Sequence, residues 1–130
     1  MSILPMQARG GLAGKVLRVD LSSGQIWTED TATYAERWLG GRTINSYILF
    51  REMRPDVQWS DADNLLIFGV GSLVGTAIGA NRTSIDTKSV FSGGKGSANV
   101  GGHFGAELKF AGFDHIVISG KASSPVYLWI

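Results

Sequence analysis

Apolar and polar residues alternate along "GKVLRVDLSSGQIWTED", residues 14–30. Leu17, Val19 and Leu21 alternate with more polar neighbours, and Ile26 and Trp27 continue the apolar pattern after "SSG". A period of two is typical of a half-buried strand, and the Ser-Ser-Gly stretch is typical of a turn. The segment is therefore predicted to form a β-hairpin.

The next segment, "TATYAERWLGGRTINSYILFREM", covers residues 31–53 and carries its apolar positions at helical spacing. The Gly40-Gly41 pair is expected to divide it into two helices, the second beginning near Arg42 or Thr43. A polar loop with proline and aspartates, "RPDVQWSDADN", follows.

Strand patterns dominate the second half of the chain. "LLIFGVG" (65–71) is short and apolar, and "TSIDTKS" (83–89) is rich in β-branched residues. A short helix is predicted from about His103 to Ala111, ended by the glycine at 112. "DHIVISGKASSPVYLWI" (114–130) is predicted to give two strands separated by a turn. These elements predict an α+β fold in which short helices pack on a bent, mostly antiparallel sheet.

The predicted last strand runs to Ile130 without a polar tail. We expect Trp129 and Ile130 to be partly exposed, and we expect that more protein follows in the complete gene product. Such an apolar end would favour self-association of the chain alone.

Composition excludes several classes of function. The net charge is +1, which does not favour nucleic acid as a partner. No apolar run is long enough to span a bilayer and the start lacks a secretory pattern, so we expect no membrane partner and a cytoplasmic location. Cysteine is absent, so the chain forms no disulfide and offers no thiolate to a metal or cluster.

The candidate chemistry lies between Ala80 and Asp114, where seven of the 18 glycines surround Arg82, Lys88 and Lys95. Glycine lets backbone N–H groups approach an anion closely, and an arginine holds phosphate in bidentate fashion. The start of the predicted helix adds a partial positive charge. A solvated glycine-rich loop that binds nothing explains the same composition, and the residues alone do not separate these two interpretations.

Other motifs in the chain are weaker. "GVGSLVG" lacks the spacing and the following helix of a dinucleotide fingerprint, and "SGGKGS" lacks the Ser or Thr that a phosphate loop needs after its lysine. His103 and Glu107 share a helix face, but a polar first turn is the simpler interpretation, and His115 is predicted to be structural. The four tryptophans are predicted to be core or edge aromatics.

Longer stretches are more specific than composition. "NRTSIDTKS", "SANVGGHFGAELKFAGFDHIVISGKA" and "GKVLRVDLSSGQI" strongly resemble the aldehyde ferredoxin oxidoreductase family, and the resemblance runs from near Gly11 to the end. It implies an N-terminal extension over residues 1–10 and, over 11–130, the first part of the N-terminal domain of these enzymes. In the family this domain is an α+β platform for a tungsten, less often molybdenum, bispyranopterin cofactor.

The resemblance also implies site residues. The pterin-contacting arginine of the family falls on Arg82, and a glycine contact falls on Gly101. The asparagine whose backbone carbonyl helps to hold the magnesium ion bridging the two pterin phosphates falls on Asn99. Val100 and Gly102 belong to the same cofactor-binding segment.

The implied activity is oxidation of an aldehyde to a carboxylic acid, with electrons leaving through a [4Fe–4S] cluster to ferredoxin. Such a cluster needs cysteines that this chain lacks, so the remaining domains or subunits of the enzyme are the expected partners and the chain alone is expected to be inactive. Two alternatives stay open, a non-catalytic module that binds pterin or phosphate and a small structural domain whose glycine-rich loop binds nothing.

Overall fold

The computed structural model describes residues 10–130, so nearly all of the predicted N-terminal extension lies outside the described residues. In that range the chain forms strands and helices in the following order. They are β1 (Lys15–Asp20), β2 (Gln25–Asp30), α1 (Ala32–Trp38), α2 (Arg42–Glu52), β3 (Leu66–Val70), β4 (Thr83–Lys88), β5 (Lys95–Val100), α3 (Phe104–Phe110) and β6 (Phe113–Ser119). Among residues 10–130 no helix has the length and apolar character needed to cross a membrane.

The strands form one mixed sheet in the order β2-β1-β6-β3-β4-β5. β1 and β6 pair in parallel, whereas each of the other neighbouring pairs is antiparallel. The predicted hairpin is present, with Lys15 opposite Asp30 and Asp20 opposite Gln25. The prediction of an α+β fold with a mostly antiparallel sheet is confirmed.

Helices cover both faces of this sheet, because the side chains of its central strands are apolar on both sides. Within β1, Val16 packs into the core under α1 and α2, while Leu17 packs into the core under α3. The first core contains Val16, Ala35, Ile44, Ile48, Leu49, Leu65, Ile67 and Val117. The second contains Leu17, Val19, Val70, Val74, Leu108 and Ile116.

Glycines end two of the predicted helices as expected. The chain leaves α1 through Leu39, Gly40 and Gly41, all of which have positive φ angles, and then begins α2. α3 ends just before Gly112, whose φ of +95° is the left-handed conformation that favours glycine. Both helix boundaries were predictable because their geometry depends on glycine itself.

One strand was missed in the sequence. Residues 95–100, "KGSANV", form β5 along the outer side of β4 and are mostly exposed. An edge strand with one partner needs no apolar alternation, so its polar sequence carries no period-two signal.

The second strand predicted in 114–130 is wrong. Residues 121–130 form no strand, and β6 itself pairs with β1 on one side and β3 on the other. Leu128, Trp129 and Ile130 instead lie beside α3, where they border a groove with Phe104 and Leu108. The predicted exposure of this segment is confirmed, since Trp129 is 88% exposed and Ile130 is 47% exposed.

Candidate functional site

Several glycine-containing loops meet at one end of the sheet, which we call the glycine-rich end. β4 runs antiparallel to β3 and β5, so the end of β3, the start of β4 and the end of β5 lie together. The starts of β1 and β6 lie at the same end. The glycines in these loops are Gly10, Gly11, Gly14, Gly40, Gly41, Gly71, Gly75, Gly79, Gly101, Gly102 and Gly112.

The predicted site residues lie within this end. Arg82 immediately precedes β4, whose first residue, Thr83, is opposite Val100 at the end of β5. Arg82 and Gly101 are the residues just beyond this last paired position of the two adjacent strands. Arg82 is 17 or more residues from Asn99–Gly102 in sequence, and the fold brings both to the ends of neighbouring strands.

Of the three basic residues noted in the glycine-rich run, only Arg82, the one predicted for the site, is available there. Lys88 donates from Nζ to the carbonyl oxygen of Pro55 at 2.8 Å. Lys95 Nζ lies 3.0 Å from Asp86 Oδ1 and donates to Ser46. The Arg82 side chain is exposed and makes no hydrogen bond or ion pair within residues 10–130. Lys88 and Lys95 are therefore engaged elsewhere, whereas the Arg82 guanidinium can take an anionic ligand.

Asn99 is exposed, and its side chain is held by its neighbour on β4. Ser84 donates from Oγ to Asn99 Oδ1 at 3.1 Å. This bond occupies one acceptor site of the amide oxygen and leaves the amide group of Asn99 free to donate. The orientation of the Asn99 side chain is thus set by β4, the strand that Arg82 immediately precedes.

The backbone after Asn99 is open to close approach. A Cβ atom added to Gly102 would meet nothing within 4 Å, and one added to Gly101 would meet only Asn81 Oδ1 at 3.8 Å. Gly102 also has a φ of +92°. A ligand can therefore approach this backbone more closely than side chains elsewhere would allow, as a phosphate site requires.

The helix that follows contributes less than the sequence indicated. α3 has seven residues, its N-cap His103 makes no side-chain capping bond, and its first turn carries the acidic Glu107. A helix of two turns has a small dipole, and a carboxylate in its first turn already occupies the favourable position for negative charge. Within the described residues no group of three or more His, Cys, Asp or Glu side chains could hold a metal.

A cavity beside Arg82 was not predicted. It has a volume of about 470 Å³ and is formed by the loop between β3 and β4. Its lining consists of Gly71, Ser72, Leu73, Val74, Gly79, Ala80, Asn81 and Arg82. The "GVGSLVG" stretch, which no helix directly follows in the structure, lies partly in this lining. Its glycine density was the available signal, since it marks exposed backbone without identifying a ligand.

The two histidines lie where the simpler interpretation puts them. His103 is exposed at the start of α3, and His115 is buried in β6 with its Nδ1 atom 2.8 Å from Asn45 Oδ1. Burial lowers the pKa of His115 to about 4, so the ring is neutral at pH 7. The prediction that His115 is structural agrees with this environment.

Comparison with known proteins identifies relatives of the whole described chain. The sequence profile for "Aldehyde ferredoxin oxidoreductase, N-terminal domain" matches residues 16–130. A tungsten-containing aldehyde ferredoxin oxidoreductase of Pyrococcus abyssi is 48% identical over 122 residues, which cover 92% of this chain and 20% of the relative. The corresponding enzyme of Pyrococcus horikoshii is 47% identical over the same length.

Two further relatives carry other names. A Pyrococcus furiosus protein described as "Aliphatic sulfonate oxidoreductase, WOR-like subunit" is 39% identical over 123 residues, covering 90% of this chain and 19% of the relative. The solved active-site complex BamBC of benzoyl coenzyme A reductase with 1,5-dienoyl-CoA superposes with a TM-score of 0.84 at 39% identity, covering 88% of this chain and 18% of that chain.

The chain thus spans about a fifth of the length of the curated relatives that it matches. The names of the four relatives reported above all describe redox enzymes, and they differ in the substrate. The extent of the profile match, together with identities near 48%, shows that this chain belongs to the aldehyde ferredoxin oxidoreductase family and corresponds to its N-terminal domain.

Proposed function

We propose that this chain is the cofactor platform of a tungsten-dependent aldehyde:ferredoxin oxidoreductase. The observation that carries the proposal is the proximity of the Arg82 guanidinium, which makes no hydrogen bond or ion pair within residues 10–130, to the open Asn99–Gly102 backbone at the end of the adjacent strand. Identity of 48% to tungsten-containing aldehyde ferredoxin oxidoreductases favours the aldehyde activity over those named for the 39% identical relatives.

The residues present fit a bulky anionic cofactor. Arg82 supplies a planar guanidinium that matches phosphate geometry, and Gly101 and Gly102 leave the backbone uncovered where a Cβ would otherwise stand. The cavity of about 470 Å³ beside Arg82 offers further space for a fused heterocycle. Val100, 43% exposed, adds an apolar contact between Asn99 and Gly101.

Magnesium would be held by oxygen atoms other than side-chain carboxylates. Within residues 10–130 no cluster of acidic side chains is available for a cation. Mg²⁺ commonly binds substrate or cofactor phosphates together with few protein oxygens. The backbone carbonyl of Asn99 would be such an oxygen, and the bond from Ser84 to the Asn99 side chain would help to hold that residue in place.

When bound, the tungsten group supplies the redox chemistry that removes two electrons from an aldehyde. This chain's own part is to bind and orient the pterin and phosphate groups. The chain contains no cysteine, so the thiolate ligands of a [4Fe–4S] cluster, and with them the route to ferredoxin, would come from the remaining domains or subunits.

The test is co-expression of the chain with the remaining portion of the enzyme, followed by analysis for tungsten, molybdenum, iron and pterin. We expect the wild-type complex to contain tungsten, pterin and iron, and Arg82→Met to lower tungsten and pterin at least tenfold. Lys88→Met removes an equal charge from the far end of β4, the strand that follows Arg82, and should retain both tungsten and pterin. An assembled wild-type complex without metal or pterin would refute the proposal.

The same experiment separates the non-catalytic alternative. That alternative expects pterin or phosphate binding by this chain with no metal in the complex and no aldehyde-dependent reduction of ferredoxin. Equal cofactor content in Arg82→Met and wild type would instead show that Arg82 is not a cofactor contact.

A further inference from the structure

A row of contacting polar side chains, mostly buried, lies between α2 and the sheet and ends on the edge strand β5. Asn45 of α2 donates from Nδ2 to Asp86 Oδ2 at 2.7 Å and accepts at Oδ1 from His115, 2.8 Å away. Asp86 Oδ1 lies 3.0 Å from Lys95 Nζ, which also donates to Ser46 of α2. This row of side chains therefore connects β6, α2, β4 and β5.

The directions of these bonds are fixed by Asp86. An ionised carboxylate only accepts, so Asn45 must direct its NH₂ group toward Asp86 and its oxygen toward His115. His115 then carries its proton on Nδ1, and its Nε2 atom, which has no partner within residues 10–130, is an unprotonated acceptor. Asn45, Asp86 and His115 are each 0% exposed, so no water screens this arrangement from outside.

Lys95 neutralises this buried carboxylate from the surface. Asp86 has no other cation among its described partners, and the Lys95 side chain is one-third exposed. Removing the ammonium group would leave a negative charge buried without compensation, which is costly. The attraction therefore holds the first residue of β5 against β4 and α2.

Apart from its backbone pairing with β4, β5 has few side-chain contacts that hold it. Five of its six residues are exposed, and within residues 10–130 it pairs only with β4. On the face toward α2, the Lys95 ammonium group forms an ion pair with Asp86 at one end of β5, and Asn99 accepts a hydrogen bond from Ser84 at the other end. These two cross-strand contacts are the side-chain links that keep the strand and the Asn99–Gly102 backbone after it in register.

We propose that Asp86 and Lys95 form a positioning pair that fixes β5, and through it the Asn99–Gly102 backbone, in the geometry that binds the phosphate groups of the cofactor. The identity of the ligand in this inference rests on the proposed function. The claim that the pair fixes the position of β5 does not depend on it. Lys95 acts on the site through β5 and does not contact the ligand. Four residues separate it from Asn99, about 13 Å along a strand.

Because of that distance, an effect of Lys95 on strand position can be distinguished from a direct electrostatic effect of its charge at Asn99. At physiological ionic strength the Debye length is about 8 Å, so an exposed Lys95 charge is largely screened at Asn99. Lys88 offers a matched control, because it lies directly opposite Lys95, carries the same charge and bonds a loop carbonyl instead of a buried carboxylate. Lys95→Arg retains the charge and serves as the rescue.

The experiment measures amide hydrogen exchange of the full chain by NMR, with urea unfolding measured in parallel. In Lys95→Met we expect exchange of the protected amides between Ser97 and Gly102 to accelerate at least tenfold more than that of amides in β1 and β6. Lys88→Met should leave this exchange within twofold of wild type, and Lys95→Arg should restore most of the protection. Unchanged exchange at Asn99–Gly102 in Lys95→Met would overturn the inference.

A second arm uses pyrophosphate as the probe of the site. We expect it to shift the amide signals of Arg82 and Asn99–Gly102, with a Kd raised at least threefold by Lys95→Met relative to Lys88→Met. Equal Kd values for the two variants would overturn the link between strand and site. Wild-type protein without such shifts would contradict the proposed phosphate site, and the exchange experiment would still decide whether the pair fixes the strand.

Discussion

Two arginines, one within β1 and one just before β4, have opposite environments in this fold. Arg18 of β1 is 6% exposed, and its guanidinium bonds both carboxylate oxygens of Glu52 at 2.6 and 2.7 Å. Glu29 and the hydroxyl of Tyr34 each lie 3.1 Å from it. Arg82 is exposed at the glycine-rich end and has no such partner within residues 10–130.

The difference indicates which charge serves folding and which is available to a ligand. Burial alone would lower the pKa of Arg18, but its hydrogen bonds to Glu52 and the charges of Glu52 and Glu29 outweigh that cost and raise it. Arg18 is thus a cation whose charge is used inside the fold. Arg82 carries the same charge beside exposed backbone, so its guanidinium is available to bind an anionic ligand from solvent.

Two glycines show the same contrast between a buried position and an open one. Gly69, the next-to-last residue of β3, faces the buried pair formed by Asn45 and His115, and a Cβ atom there would lie 2.5 Å from His115 Nδ1 and closer still to Asn45 Oδ1. Gly101 has open space at the corresponding position. The first glycine makes room for the protein's own side chains, and the second leaves room for something else.

The largest expected effect is therefore on folding, from Gly69→Ala. The added methyl group would separate a buried hydrogen-bonded pair and force strained packing, and we expect about 4 kcal/mol loss in the free energy of unfolding. Gly101→Ala, at an open position without a positive φ angle, should change it by less than about 0.5 kcal/mol. Urea unfolding followed by circular dichroism measures both. Comparable losses in the two variants would break the contrast.

Arg18→Met should have the next largest effect. It leaves Glu52 and Glu29 facing each other without their shared cation, and because Glu52 is 38% exposed we expect a loss near the lower end for broken buried pairs, about 3 kcal/mol. Arg82→Met should cost less than about 0.5 kcal/mol, since nothing in the described fold depends on it. Thermal unfolding of both variants at equal ionic strength provides the measurement. A destabilised Arg82→Met would show that Arg82 has a structural role.

How much of this was predictable depends on whether the signal is local. The hairpin, the Gly40-Gly41 break and the α3 boundaries were predicted because each rests on nearby residues whose backbone preferences are strong. β5 was missed and a strand in 121–130 was wrongly predicted, because both depend on which positions beside β4 and β6 were already filled.

The residues of the candidate site also differ in whether the sequence alone could predict their roles. Arg82 and the Asn99–Gly102 segment were predicted from family resemblance, and the sequence could not show that Lys88 and Lys95 are bound to Pro55 and Asp86. Those partners lie on other elements, so only the tertiary fold distinguishes the free cation from the engaged ones. The buried partnership of Asn45 with His115 is non-local for the same reason, being 70 residues apart.

The smallest of the three expected losses of stability, after those of Gly69→Ala and Arg18→Met, comes from lowering the pH, and it tests the buried side chains of the comparison. Burial lowers the pKa of His115 to about 4 from an ordinary value of 6.5, so between these values the unfolded chain binds a proton that the folded chain does not. Stability from this group is complete above pH 6.5 and declines as the pH falls toward 4. Between pH 7 and pH 5 the expected loss is about 2 kcal/mol.

The control is His115→Gln, which keeps a polar side chain near Asn45 and removes the titration. Urea unfolding at pH 7, 6 and 5 should show a declining free energy in the wild type and a much flatter dependence in His115→Gln, with Arg82→Met following the wild type. Carboxylates titrate mainly below this window, since their ordinary pKa values are near 4. A wild-type stability that is level from pH 7 to pH 5 would mean that the buried ring accepts a proton within the fold, through the free Nε2 atom, and that Asn45 and its neighbours can rearrange to stabilise the charge.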